Sequence, residues 1–73
     1  MAKHDDSYVT TADLIALVLK DESARREYID AVCRGDIKKQ EDLLLLMGHS
    51  PHATPAERDR AQEELEKLQQ KAQ

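Results

Sequence analysis

Large apolar residues crowd into one half of this chain. Of the nineteen that follow Met1, counting Val, Ile, Leu, Met, Tyr and Cys, seventeen fall between Tyr8 and Met47, and only Leu65 and Leu68 come later. The pattern predicts a compact helical part over 8–48 and a polar C-terminal arm within a single domain, preceded by a disordered polar tail over 1–7. Every element the pattern predicts is a helix, so the expected fold class is all-α, a small helical bundle.

The first helix is expected to be capped by Thr10 or Thr11, with Asp13 favouring its N-terminal dipole, and to run to about Lys20. Leu14, Ile15, Leu17, Val18 and Leu19 cover most of its circumference and leave a narrow polar edge of Asp13, Ala16 and Lys20. A central position follows. A second helix starts after Asp21 or Ser23 and ends at Arg34, because Gly35 can adopt the left-handed conformation that closes a helix. Its apolar stripe is Tyr28, Ile29, Val32 and Cys33, and its wet face is Arg25, Arg26, Glu27 and Asp30.

Asp36 caps a third helix from Ile37 to Met47, which Gly48 is expected to stop. This helix is divided along its length: Lys38 to Asp42 are charged or amidic, whereas Leu43, Leu44, Leu45, Leu46 and Met47 are apolar without interruption. Five consecutive side chains on a helix point in every direction, since each step turns about 100°. Residues 49–54 form a connector with Pro51 inside it and Pro55 at its end. Thr54-Pro55-Ala56-Glu57 then has the form of a capping box, with proline at the first helical position. The last helix occupies 55–73, to about Lys71, with Ala61, Leu65, Leu68 and Ala72 as a heptad seam too short for an isolated coiled coil. The expected architecture is three short helices around Leu14, Leu17, Val18, Ile29, Val32, Leu44 and Met47. The longer amphipathic C-terminal helix lies across them or projects from them.

The chain has 73 residues, near the size at which one core leaves only a few kcal/mol of net stability. Its single cysteine rules out an internal disulfide. Oligomerisation is the remaining staple. If half of the expected exposed area of 43–47 and 14–19 were buried between copies, the gain before association costs would be on the order of 10 kcal/mol. A homodimer is therefore expected, with Leu43, Leu45, Leu46, Met47, Leu14 and Leu17 at its interface or facing another protein, and Arg25, Arg26, Lys38 and Lys39 as a charged rim; the competing expectation is that the leucine run is the hub of a four-helix cluster within one chain.

A formal net charge of −4 supplies no basic field to attract phosphates, which disfavours nucleic acid as a partner. The longest apolar run, Leu14 to Leu19, is six residues, well short of the ~20 a bilayer span needs. The N-terminus lacks the basic flank and apolar stretch of an export signal, so a cytoplasmic location is expected.

Candidate chemistry is sparse. His49 and His52 with Cys33 and His4 contain zinc-ligating types, but one loose pair beside a proline loop lacks the two tight pairs of a structural site, and no metal or cofactor is implied. Cys33 sits near a helix C-terminus, where the dipole disfavours a thiolate, and on the apolar stripe, so it reads as a small buried core residue. Asp5-Asp6, Asp21-Glu22, Glu41-Asp42 and Glu63-Glu64 are adjacent pairs, which do not face one another on a helix. With no phosphate-binding loop or nucleophile motif, the expectation is a protein that is not an enzyme.

Helix two, Gly35 and helix three have the outline of a helix-turn-helix, yet that alignment sends Asp30, Arg34, Asp36 and Glu41 inward. The favoured expectation is a small regulator, inhibitor or adaptor, of the size and acidity found among bacterial or phage proteins that occlude a larger one. The alternatives are a dimeric DNA-binding transcriptional regulator and a structural or chaperone subunit of a larger complex.

Overall fold

A computed structural model describes residues 7–72, and the side chains from 8 to 70. Among the described residues the chain folds into four helices: α1 (Ser7–Leu19), α2 (Glu22–Arg34), α3 (Ile37–His49) and α4 (Pro55–Ala72). Helices α1 and α3 lie in the middle, each touching the three others, while α2 and α4 flank them. The expected tail over 1–7 lies outside the described residues except for Ser7, which is helical and belongs to α1.

The predicted helix ends at α2 and α4 form through local chemistry. Asp21 caps α2, its Oδ1 accepting from the Ser23 amide at 3.0 Å and the Ser23 hydroxyl at 2.6 Å. At the far end Gly35 takes φ 72°, and the amides of Gly35 and Asp36 donate to Val32 O and Ala31 O, a Schellman closure. Asp36 caps α3 through the Lys39 amide at 3.1 Å. The box at α4 closes in both directions: the Thr54 amide donates to Glu57 Oε1 at 2.8 Å, and the Glu57 amide donates to Thr54 Oγ1 at 3.2 Å.

Two boundaries differ from the sequence expectation. Helix α1 begins at Ser7, so Thr10 and Thr11 are helical rather than capping. Thr11 is fully buried and accepts from Arg60 Nη2 of α4 at 3.2 Å, a tertiary bond that offsets threonine's weak helix propensity. Asp13, expected at the N-terminal dipole, sits mid-helix and accepts from Arg25 Nε of α2 at 2.7 Å. Helix α3 runs through Gly48 to His49, and Ser50 caps it. Gly48 faces α4, where an added methyl would sit in ordinary van der Waals contact with Ala61 Cβ at 3.5 Å, so here glycine lies within the α3–α4 contact and is not a stop.

The core is built from Ala12, Ile15 and Val18 of α1, Ala24 and Tyr28 of α2, Leu43, Leu44 and Met47 of α3, and Ala61 and Leu68 of α4. Of the expected core, Val18, Leu44 and Met47 are buried, while Leu14, Ile29 and Val32 are half-buried against it. Leu17 is not core: it is 67% exposed. Cys33 is exposed as well, because the buried side of α2 is Ala24, Tyr28 and Ala31. Small alanines, which let helices approach closely, hold the inner positions that larger residues were expected to fill.

Helix α4 is docked and does not project, since Ala61 and Leu68 of its seam are 1% and 5% exposed. A buried amide also ties α2 to α3: Gln40 Nε2 donates to Ala31 O at 3.3 Å and to Asp36 O at 3.2 Å. No helix among the described residues is long and apolar enough to cross a membrane.

Candidate protein-binding face

The leucine run divides by direction. Leu43, Leu44 and Met47 point into the chain's own core, at 5%, 0% and 0% exposure, whereas Leu45 and Leu46 are 43% and 56% exposed. Leu43 and Met47 therefore drop out of the expected interface, because four helices close around them. Leu45 and Leu46 stay about half open because steps of about 100° turn them away from the inward direction of Leu43, Leu44 and Met47. With Asp42 one turn before and His49 one turn after, they line a shallow, predominantly apolar hollow. On the α4 side Leu45 and His49 border a second dent with Arg58, Gln62 and Leu65.

The two α1 residues of the expected interface lie elsewhere. Leu14 is half-buried against the core, and Leu17 stands on α1 itself, in the stretch whose outward neighbours are Thr10, Asp13 and Lys20. The charged rim is also dispersed. Arg25 is engaged within the chain by Asp13 and by Glu22 at 2.6 Å, and Lys39 Nζ pairs with Glu27 at 3.1 Å, joining α3 to α2. Arg26 and Lys38 are exposed; Lys38 lies on the open side of α3, and Arg26 lines a groove along α2 with Ile29 and Cys33.

Buried polar chemistry gathers between α1 and α4. Glu64, 8% exposed, pairs with Arg60 at 3.5 Å and Lys67 at 3.3 Å, and Arg60 reaches Thr11. Beside this cluster the Tyr28 phenol is pushed up to about 12, first by its burial and then by the charge of Glu64, with Arg60 opposing. Tyr28 therefore stays protonated at neutral pH. Among the described residues no three His, Cys, Asp or Glu side chains converge as a metal site would require; His4 lies outside them.

The flanking of Leu45 and Leu46 by Asp42 and His49 escaped the sequence reading, although the spacing of three, one and three along α3 was its signal. Comparison with protein-family models, with curated proteins and with solved structures returns no match.

Proposed function

We propose that this chain is a non-enzymatic protein-binding module, a small regulator or adaptor whose docking surface is the Leu45–Leu46 face of α3. The supporting observation is the pair of adjacent leucines left half open on α3 while the rest of their run is buried. Apolar surface that a small fold fails to cover, rimmed by polar groups, is a common mark of a protein-binding site. Together the open parts of the two side chains amount to roughly one whole leucine, worth about 2–3 kcal/mol on burial. That is well below the expectation from the run as a whole, because the core takes most of it. The surface suits a reversible contact.

The DNA-binding alternative has less support. A groove-reading helix presents basic and amide groups, and the open side of α3 presents Leu45 and Leu46 with one lysine, Lys38, offset by Asp42.

The test compares immobilised wild-type chain with the Leu45→Glu/Leu46→Glu variant, both first shown to be folded by circular dichroism. Both residues are about half exposed and lie outside the buried core, so the double variant is expected to keep its helicity. Polypeptides retained by the wild type, further copies of the chain included, should be lost from the variant; equal retention by both would sink the assignment.

A further inference from the structure

We infer that the seam between α3 and α4 takes an acidic segment of another polypeptide, with one leucine-sized side chain in the hollow beside Leu45 and the carboxylate of an adjacent acidic residue on Arg58. The inference rests on the protein-binding reading of α3 and deepens it by naming the chemistry of the partner.

Two helices make this hollow. Leu45 and Gly48 of α3 and Ala61 and Leu65 of α4 form its apolar part, and it holds about 150 Å³. The space exists because Gly48 and Ala61 carry so little side chain: a methyl added at Gly48 would meet only Ala61 Cβ, in ordinary contact. Sites that enclose small molecules hold ~300–1,000 Å³, so the scale here is that of a single aliphatic side chain.

Charge names what lies beside that side chain. The chain has fifteen acidic and eleven basic residues, yet no carboxylate lines the hollow, and its one fixed charge is the guanidinium of Arg58. Arg25, Arg34 and Arg60 each pair with an acid of their own chain, whereas Arg58 is exposed and pairs with no described residue. Acids nearby are directed elsewhere: Glu66 accepts from Gln62 Nε2 at 3.4 Å, and Asp42 lines the hollow on the other side of Leu45. A guanidinium is charged at any physiological pH and its planar fork matches a carboxylate, so recognition needs no titrating group.

The two hollows share Leu45 and His49. A bound chain can therefore continue from the seam across Leu46, which suits an internal segment better than a chain end. One side chain buried and one solvated ion pair make the contact weak, with a Kd of about 1–10 mM for a short peptide.

Amide NMR shifts of the full, isotope-labelled chain, titrated with acetyl-Gly-Leu-Glu-Gly-amide, test the inference. Shifts at Gly48, Ala61 and Gln62 are expected with a Kd in that range. The peptide with Gln in place of Glu should bind about threefold more weakly, and the peptide with Ala in place of Leu should produce no saturable shift. Arg58→Glu, first shown to be folded by circular dichroism, changes an exposed residue near the start of α4, where an acid suits the helix dipole. It should bind the Leu-Glu peptide about tenfold more weakly than the wild type does and should prefer the corresponding Leu-Lys peptide. Absence of shifts around the hollow, or equal affinity of wild type and Arg58→Glu for the Leu-Glu peptide, overturns the inference. If it falls while polypeptides captured by the wild type are still lost with Leu45→Glu/Leu46→Glu, the protein-binding face stands and only the acidic partner is excluded. Loss of both results removes both readings.

Discussion

Tyr28 is 2% exposed in a chain with almost no other aromatic material, and its phenol is the most strongly perturbed titrating group among the described residues. Burial is the main cause, because a phenolate there would lose its hydration; Glu64 adds to the penalty and Arg60 reduces it. The consequence for stability has a definite sign. Between the ordinary value of 10.0 and the folded value of about 12, the unfolded chain releases the proton and the folded chain keeps it. Stability should therefore be unaffected by this group below pH 10 and fall by ~1.4 kcal/mol per unit through that window. Thermal melts across the window should show this alkaline loss in the wild type and a much shallower one in Tyr28→Phe. Tyr28 was assigned from its periodicity to the apolar stripe of α2, and correctly. Cys33 was assigned to the same stripe and is exposed, since the stripe's true centre is set by Ala24 and Ala31, whose small size hides their importance in a hydrophobicity count.

Helix ends show how far local chemistry reaches. Both α1 and α2 close in the same Schellman pattern: Lys20 and Asp21 donate to Leu17 O and Ala16 O, as Gly35 and Asp36 donate to Val32 O and Ala31 O. The left-handed position is Lys20 in one, at φ 55°, and Gly35 in the other, at φ 72°. A side chain in that region costs about 1 kcal/mol that glycine avoids. Opposite effects are therefore expected at equivalent sites. Lys20→Gly should raise stability by up to ~1 kcal/mol, and Gly35→Ala, which meets no neighbouring atom within 4 Å, should lower it by a similar amount for conformational reasons alone. Urea titration of both variants checks the signs; equal signs would refute a shared closure. The α2 caps, the Asp36 cap and the Thr54–Glu57 box were legible in the sequence because each is completed within a few residues. The place of Thr11 inside α1 was not, because its side-chain partner Arg60 lies forty-nine residues away.

Across the whole molecule, α4 covers the side of α3 that would otherwise leave Leu44 and the Gly48 crossing open, and it supplies Ala61, Glu64 and Leu68 to the interior. Truncation after Ala53 should consequently abolish the cooperative thermal transition followed at 222 nm, even though three of the four helices remain encoded. A sharp melt of the truncated chain would show that α4 is dispensable. The candidate site was half legible: an unbroken apolar run on a helix must send some side chains outward, so exposure within 43–47 followed from helical geometry alone. Which members face out depends on where α2 and α4 lie against α3, and so do the neighbours Asp42, His49 and Arg58 that turn two leucines into a polar-ended face. The order of amino acids alone determined the helical class, the ends of α2, the Asp36 cap, the Thr54–Glu57 box and the excess of leucine at 43–47, because these rest on backbone geometry and near neighbours in the chain. Only the packed structure decided that Leu43 and Met47 are interior and Leu45 and Leu46 are not, because burial is a property of the space between helices, which residues far apart in the chain create together.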